Sequence, residues 1–306
     1  MRLVKTLSVI GCGSAARTLA RLWKDTGIFS IGGILNSSLE SAHEAVSFVG
    51  AGTAVAAIEE LPLSDLYMIG CPDDSIRECC TLLADSSLSF DGATVFHLSG
   101  ALASSELEAI GQKGASVASV HPVMSFADPA IAIDDFAGTW CGMEGDDSAL
   151  ALLEPACKAI GARCFRIEAS GKSLYHAASV IACNYLVTLE ELSLQTFKAA
   201  GIGRETALEI LAPILRGTVE NILALGPAEA LTGPIARGDT RVIDGHIKSL
   251  EQWNPEVAAL YRRLGLVTAD LSEKQGNASP SSLAAIRELL GERSDITRRD
   301  REDCKK

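Results

Sequence analysis

The chain has 306 residues, which is enough for two domains. Its composition, with 47% hydrophobic and 22% charged residues, is that of a folded globular protein. The formal net charge of −12 disfavours binding to nucleic acid or to an anionic membrane, because phosphate contacts need clustered Lys and Arg. We therefore expect a small molecule as the substrate, and neither nucleic acid nor membrane as a partner.

The nine cysteines predict a reduced, cytoplasmic protein. They form no C-x-x-C pair, and most of them lie in apolar runs, which is typical of buried thiols. For the same reason the sequence predicts no structural metal site.

A glycine-rich turn follows the first apolar run, Leu7–Ile10. It has the form G-x-G-x-x-A and ends at Ala16, and a helical pattern follows it. In a dinucleotide-binding unit the first glycine makes the turn, the second lets the backbone approach a diphosphate, and the third small residue lets the helix pack on the strand. The helix N-terminus adds free N–H groups. We predict that the cofactor contacts Gly11, Cys12, Gly13, Ser14 and Ala15.

A rival interpretation of the same residues is a signal peptide that ends at a lipidated Cys12. Its apolar core is shorter than the ~7–15 residues that such a segment needs. The residues after Cys12 also form an amphipathic helical pattern instead of a polar tether. We therefore favour the dinucleotide-binding turn.

The first half of the chain alternates strand-like and helix-like segments, which indicates a parallel sheet with crossover helices. The predicted strands are Leu3–Ile10, Phe29–Leu35, Leu66–Gly70, Thr94–Leu98, Ser116–Val120, Thr139–Met143 and Arg163–Ile167. The predicted helices between them are Ala15–Lys24, Leu39–Val49, Ser75–Ala84, Ser104–Lys113 and Ser148–Ile160. The expected fold class is therefore an α/β Rossmann-like domain.

Small, polar or turn-forming residues follow the predicted strands. Ligands of an open parallel sheet bind at the carboxyl ends of its strands, although ordinary loops contain the same residue types. His121, which precedes Pro122 at a strand end, adds a titratable group and favours a ligand site. It could contact substrate or the nicotinamide ribose, or it could only form the turn. We predict further cofactor contacts at Asn36, Ser37, Ser38, Cys71, Pro72, Asp73, Ser99 and Gly100.

The end of the second strand favours NADP, with NAD still possible. NAD-binding folds place Asp or Glu there, to accept hydrogen bonds from the ribose. This chain has Asn36-Ser37-Ser38, whose uncharged donors suit a 2′-phosphate, but no Arg follows to complete a phosphate clamp. One of the two serines could also cap the next helix.

The second half of the chain is predicted to be helical. We expect one long helix over Lys172–Ala199, then helices at Arg204–Leu225, Gly238–Glu251, Pro255–Lys274 and Ser281–Leu289. The uncharged stretch Ser173–Leu189 is short for a membrane span and predicts a helix buried on most sides. The predicted domains are residues 1–168, a helical substrate and dimerisation domain at 169–292, and a charged tail at 293–306.

Several segments carry a resemblance to a known group of proteins. With the glycine turn, Pro72-Asp73-Asp74 and the helical second half, the chain resembles the superfamily of pyrroline-5-carboxylate reductase, the β-hydroxyacid and 6-phosphogluconate dehydrogenases and prephenate dehydrogenase. It is most similar to a bacterial branch of Rossmann-like NADP oxidoreductases whose helical C-terminal domain has no known function. The resemblance extends from about Leu3 to Leu290, and the segments that carry it are His97–Gly100, His121–Phe126, Tyr175–Ala178, Asn184–Val187 and Leu231–Asp239.

The resemblance implies site residues on the long helix, with one departure. β-Hydroxyacid dehydrogenases have a Lys and an Asn one turn apart there; Asn184 matches the Asn, but Val180 stands at the Lys position. His176 lies one turn earlier and, with Asn184, shares one side of an ideal helix over about 12 Å. We predict that His176 donates a proton and that Asn184 orients the nicotinamide or a substrate carbonyl. A buried histidine bonded to the backbone and a structural asparagine are the alternatives.

Two further charged residues are candidates for the site. Lys172 could donate the proton instead of His176, but a solvated Lys at a helix start is the expectation. Arg237 could bind a substrate carboxylate, or it could pair locally with Asp239. The histidine within the predicted strand, His97, is expected to have a packing role.

The function predicted from these features is an NADP-dependent oxidoreductase that moves hydride between nicotinamide and a small carbonyl or imine. The missing Lys at Val180 keeps a non-catalytic dinucleotide sensor open. The His121-Pro122 pair keeps a prephenate-dehydrogenase-like enzyme open, and a deazaflavin partner is not excluded. Relatives dimerise through the helical domain, so a homodimer is expected.

Overall fold

The computed structural model describes residues 4–291 of the chain. Its strands are β1 (Lys5–Ile10), β2 (Phe29–Leu35), β3 (Thr53–Val55), β4 (Leu66–Ile69), β5 (Thr94–His97), β6 (Ser116–Pro122), β7 (Trp140–Gly145) and β8 (Arg163–Arg166). The charged tail predicted at 293–306 and the predicted strand start at Leu3 lie outside the described residues.

The eight strands form one sheet in the order β3-β2-β1-β4-β5-β6-β7-β8. All neighbouring strands are parallel except β6 and β7, which are antiparallel. Every residue of β4 and β5 is buried, as expected of strands with helices on both faces. The predicted Rossmann-like α/β class is therefore confirmed. The short edge strand Thr53–Val55 was not predicted, because three residues give too little periodicity.

Helices cover both faces of the sheet. Those of the first part of the chain are α1 (Ser14–Asp25), α2 (Leu39–Val49), α3 (Asp73–Asp85), α4 (Glu108–Gly111), α5 (Pro129–Asp135), α6 (Asp147–Ala159) and α7 (Lys172–Ala182). The predicted helix Ser104–Lys113 is instead a 3-10 turn, Ser104–Leu107, followed by the single turn of α4.

One apolar core lies on each face of the sheet. On the first face Trp23 is fully buried, and its indole N–H donates to the Ala156 carbonyl (2.9 Å). Its ring meets those of Phe29 and Phe96 edge-on, at centroid distances of 5.4 and 6.1 Å. The second face is centred on Tyr67, which packs edge-on against Phe90 at 5.2 Å. The two cores fix α1 and α3, whose N-termini begin at the carboxyl ends of β1 and β4.

The remaining helices are α8 (Asn184–Ala199), α9 (Arg204–Leu225), α10 (Pro227–Ala230), α11 (Pro234–Arg237), α12 (Thr240–Trp253), α13 (Pro255–Gln275) and α14 (Pro280–Leu290). The chain divides into two compact units between Tyr185 and Leu186. By its contacts α7 groups with the first unit. The domain boundary predicted at residue 168 stays a prediction. Ile243, Ile286 and Leu290 are fully buried in the larger of the two cores of the second unit.

Two expectations for the long helix were wrong. The helix is interrupted at Cys183, whose backbone (φ −111°, ψ −62°) departs from α-helical values and separates α7 from α8. Nor is the stretch Ser173–Leu189 buried within the chain, since Leu174 is 80% and Val187 72% exposed. Within residues 4–291, Ala169–Ala199 is the one helical stretch long and apolar enough to cross a membrane, judged by length and composition alone.

Candidate functional site

The glycine turn closes the carboxyl end of β1 against its neighbours. Gly11 has φ +77°, a left-handed conformation that favours glycine, and its N–H donates to the Leu35 carbonyl of β2 (2.8 Å). A Cβ at this position would lie 2.6 Å from the backbone nitrogen of Cys71. Both the conformation and the close approach therefore require glycine at residue 11.

The third small residue of the turn packs as the sequence predicts. Ala16 is 1% exposed, and a Cβ added at Gly70 would lie 2.5 Å from the Ala16 methyl. Gly13 differs from both: its φ is −71°, and a Cβ there would have only the Gly70 carbonyl within 4 Å, at 3.6 Å. No packing against the described residues 4–291 explains a glycine at residue 13. The open space next to it is consistent with close approach of a ligand.

A cavity of about 610 Å³ opens beside this turn. Seven of the thirteen predicted cofactor residues line it, namely Gly11, Cys12, Gly13, Asn36, Ser37, Cys71 and Pro72. The other six do not line it. Ser14 and Ala15 begin α1, Asp73 begins α3, Ser38 is the N-cap of α2, and Ser99 and Gly100 lie in the loop after β5. The cavity is also lined by Ile10, Arg17, Leu35, Ser41, Ala56, Ala57, Ile58, Gly70, Ser75, Cys79 and Leu82.

Asn36 and Ser38, in the turn after β2, form hydrogen bonds with neighbouring backbone groups. The Cys12 N–H donates to Asn36 Oδ1 (2.6 Å), and Asn36 Nδ2 donates to the Ser41 carbonyl (2.9 Å). The Ser38 hydroxyl accepts from the Ser41 N–H (3.2 Å) and so caps α2, which confirms that one of the two serines of this turn is a helix cap. Ser37 therefore remains as the hydroxyl of this turn that lines the cavity.

Arg17 places a cation at the cavity, although no Arg follows the second strand in the sequence. Its Nε donates to the Cys12 carbonyl (3.2 Å), and its guanidinium lies 5.8 Å from the ring centroid of Phe48. Among the described residues that line the cavity, Arg17 alone carries a charge. Sequence reasoning missed it because it looked for an Arg after β2, whereas this one comes from the first turn of α1.

A second cluster of polar residues surrounds Gly100. A Cβ at this residue would lie 2.8 Å from His121 Nε2 and 2.5 Å from His176 Nδ1, so only glycine fits between the two imidazoles. The imidazole centroids are 5.6 Å apart and the rings are nearly perpendicular, at 78°. The structure thus brings together two of the three predicted catalytic residues, His121 and His176.

His121 is held by a tyrosine that the sequence analysis did not single out. Its Nδ1 forms a hydrogen bond with the Tyr175 hydroxyl (2.7 Å). Burial, followed by the nearby His176 and Lys172 charges, lowers the pKa of His121 to about 4, so the imidazole is neutral at pH 7. Burial also raises the pKa of Tyr175 to about 12. Gly142 makes room for this pair, since a Cβ there would lie 3.0 Å from the tyrosine oxygen.

The orientation of His176 leaves one ring nitrogen without a partner. His176 Nδ1 is buried and has no hydrogen-bond partner among the described residues. A buried nitrogen without a partner is unusual, because it loses its hydrogen bond to water without replacement. The alternative role, a buried histidine bonded to a backbone carbonyl, is not observed at this nitrogen.

Ser99 and Asp73 hold the loop that carries Gly100. The Ser99 hydroxyl donates to Asp73 Oδ2 (2.7 Å) and accepts from the N–H groups of Ala101 (3.1 Å) and Leu102 (2.9 Å). His97, fully buried, accepts from the Ser99 N–H at Nδ1 (3.2 Å) and donates from Nε2 to the Ala103 carbonyl (3.1 Å). Burial lowers the pKa of His97 to about 4, consistent with its predicted packing role.

Lys172 is buried, which corrects the expectation of a solvated residue. Its side chain is 1% exposed, and Nζ donates to the Ser99 carbonyl (3.0 Å) and to the Ser119 hydroxyl. The Glu144 carboxylate lies 3.8 Å from Nζ. Burial lowers the pKa of Lys172 to about 8, against the opposing effects of Glu144 and Asp73.

The last two predicted site residues lie elsewhere. Asn184 is exposed at the start of α8, and the break at Cys183 separates it from the helix of His176, so the ideal-helix spacing does not apply. Arg237 belongs to the second unit, where its Nε donates to Asp239 Oδ2 (2.9 Å). This local pair was the alternative to a substrate clamp; Arg237 also lines a cavity of about 410 Å³.

Comparison with known proteins gives a domain family and a fold. Residues 139–268 match the family described as a domain of unknown function, DUF2520. This region begins at β7 and extends into α13. No curated protein sequence is significantly similar to the chain.

Several solved structures share the fold. A Bacteroides fragilis protein, described provisionally as an NADP oxidoreductase, is 21% identical (TM-score 0.70; 89% of this chain and 97% of that chain covered). A Thermotoga maritima protein is 26% identical (TM-score 0.67; 88% and 99% covered). A 1-pyrroline-5-carboxylate reductase from Streptococcus pyogenes is 14% identical (TM-score 0.57; 93% and 98% covered).

The resemblance inferred from the sequence is confirmed at the level of fold and domain composition. The chain contains a Rossmann-like sheet, and the DUF2520 match includes its last two strands, β7 and β8, and the helices that follow as far as α13.

Proposed function

We propose that the protein is an NADP-dependent oxidoreductase that transfers hydride between nicotinamide and a small carbonyl or imine. The observation that carries the proposal is the pairing of two features in one unit. One is the glycine turn with its 610 Å³ cavity, and the other is the pair of histidines at Gly100. Solved structures of the same fold, one described provisionally as an NADP oxidoreductase and one named a 1-pyrroline-5-carboxylate reductase, support the same conclusion.

The residues around the turn fit a dinucleotide diphosphate. The N-terminus of α1 begins next to Gly13, and helix N-termini offer free N–H groups to anions. Arg17 and Ser37 line the same cavity, where a cation and a hydroxyl suit the 2′-phosphate of NADP better than the bare ribose of NAD. The chain holds a cofactor of this kind through Gly11, Gly13, Arg17 and Ser37.

In the proposed reaction reduced nicotinamide supplies the hydride, and the chain supplies the proton and the geometry. His176 gives its proton to the substrate oxygen or nitrogen, since an imidazole can act as a general acid and this side chain lies beside Gly100. His121 stays neutral at pH 7 and, with Tyr175, forms a fixed hydrogen-bonding surface for the substrate. Asn184 is proposed to orient the nicotinamide or a substrate carbonyl.

The test is oxidation of NADPH with a panel of 2-oxo acids, 3-oxo acids and cyclic imines. We expect turnover with at least one class. We also expect His176→Ala to lower kcat far more than NADPH affinity, because the imidazole acts on substrate. His43→Ala, which changes an exposed histidine of α2, is the matched control and should leave both values unchanged.

Two outcomes would favour the other functions. NADPH binding without turnover on any member of the panel would favour a dinucleotide sensor, which the missing Lys at Val180 keeps open. Oxidative decarboxylation of a cyclohexadienyl substrate would favour a prephenate-type enzyme.

We further propose that two copies of the chain form a homodimer through the helical region, in the cytoplasm. The exposed apolar side chains of α8 and α9 support this assembly, among them Val187 (72% exposed) and Leu223 (81%). Val187 and Val219 also border a cavity of about 620 Å³ between these helices, in which Glu190 Oε2 is buried without a partner among the described residues. A second copy would cover this apolar surface.

A further inference from the structure

We propose that Lys172 is a positioning residue that holds the Gly100 loop and seats His121 and His176 on it. This proposal rests on the proposed function only for the part of its test that measures enzyme activity. It assigns a role to a buried charge that the proposed reaction does not use directly.

The ammonium group of Lys172 joins three separate elements of the first unit. It donates to the Ser99 carbonyl in the loop after β5 and to the Ser119 hydroxyl in β6, and it faces the Glu144 carboxylate in β7. Two of the three donors of the ammonium group are thus hydrogen-bonded, and Glu144, at 3.8 Å, supplies the counter-charge. Ser119 also donates to the Ser99 carbonyl (3.2 Å), so this oxygen is bonded from two sides.

Glu144 fixes the far end of the same loop. Its Oε1 accepts from the Ser104 N–H (2.7 Å) and its Oε2 from the Ser104 hydroxyl (2.8 Å). The Lys172–Glu144 pair therefore holds the loop at Ser99 and again at Ser104. Gly100, which both imidazoles contact, lies between Ser99 and Ser104 in the sequence.

Lys172 is also the first residue of α7. His176 follows four residues later, about one helical turn or ~6 Å along the axis and on nearly the same face. Fixing the Lys172 side chain therefore fixes the rotation of α7, and with it the placement of His176 Nδ1 against Gly100. The same helix carries Tyr175, which bonds to His121.

The charge of Lys172 has an electrostatic consequence for His121. The charged and titratable groups that act on this imidazole are His176 and Lys172, which disfavour its protonation, and Asp73, which favours it. Tyr175 is its hydrogen-bond partner. Lys172 therefore helps to keep His121 neutral, in addition to placing it.

The experiment compares Lys172→Met with Lys158→Met, which changes an exposed lysine paired with Glu154 on α6. In Lys172→Met we expect kcat to fall about 10- to 100-fold, because even a small displacement of reacting groups slows a reaction by about this much. We expect the NADPH Kd to stay within about 2-fold of wild type, because Lys172 does not line the dinucleotide cavity. The pKa of His121, followed by NMR titration, should rise. Lys158→Met should change none of these values.

A double variant covers the case in which Lys172→Met does not fold because Glu144 is left buried without its counter-charge. Lys172→Met/Glu144→Gln removes both charges, and we expect the same fall in kcat for it as for Lys172→Met. Wild-type kcat together with a wild-type His121 pKa in a folded variant would overturn the proposal. If the wild-type protein shows no turnover, the proposed function fails, and the His121 titration alone then decides the role of Lys172.

Discussion

The substitution Gly13→Ala separates binding of the cofactor from folding of the chain. The backbone at residue 13 is compatible with alanine, and the added methyl would meet only one atom within 4 Å, at an ordinary contact distance of 3.6 Å. Replacing Gly by Ala in a compatible conformation stabilises by about 0.4–1 kcal/mol. Loss of a glycine at the N-cap of α1 opposes this by roughly a similar amount. We therefore expect a net change in the free energy of unfolding within about 1 kcal/mol.

The effect on cofactor binding should be much larger. If a diphosphate approaches the backbone at Gly13, the methyl group occupies its place, and NADPH affinity falls at least about 10-fold, or about 1.4 kcal/mol. Isothermal titration calorimetry gives the Kd, and thermal unfolding should give a Tm within about 4 °C of wild type.

A matched control is Gly11→Ala. The φ of +77° and the 2.6 Å approach to Cys71 predict that this variant loses stability as well as affinity. The reasoning is refuted if Gly13→Ala binds NADPH with the wild-type Kd at an unchanged Tm, because nothing would then approach this glycine.

The remaining predictions concern specificity, pH and assembly. Arg17→Met should lower NADPH affinity about 10- to 100-fold and change NADH affinity little, because it loses a charge-assisted contact to the 2′-phosphate. The control Arg21→Met, one turn further along α1, should change neither affinity. Equal losses of affinity for both nucleotides would contradict this role of Arg17. The buried His97 resists protonation down to about pH 4, whereas in the unfolded chain it takes up a proton below about pH 6.5. The contribution of His97 to stability is therefore complete above pH 6.5 and falls by about 1.4 kcal/mol per pH unit between pH 6.5 and 4, and urea unfolding of His97→Gln should show that part of the slope removed. Val187→Glu or Leu223→Glu should convert a dimer to a monomer in light scattering at micromolar concentration, and a monomeric wild-type protein would disprove the assembly.

Local patterns determined a large part of the fold. An apolar run that leads into Gly11-Cys12-Gly13 places a strand, a turn and a helix within about fifteen residues, and strand–helix alternation predicts a parallel sheet wherever it repeats. These features depend on residues close together in sequence, so they could be predicted. The break at Cys183 could not, because the residues around it continue a helical pattern without Gly or Pro.

The candidate site was predictable only in part. His121 and His176 could be named from their types and from the family resemblance, but their approach to Gly100 could not. Tyr175 lies in a segment that already carried the resemblance, whereas the position of Lys172 at a helix start predicted a solvated side chain.

What the sequence by itself determined is the glycine turn, the sheet that carries it and the chemical types available near it. Tertiary structure decided which of those residues meet. The Tyr175 hydroxyl reaches His121 across 54 residues, and Lys172 reaches Ser99 across 73. Only the folded sheet brings such residues within hydrogen-bond distance. Burial there removes water from the Lys172 ammonium and the His121 imidazole, lowers the pKa of both, and fixes their partners.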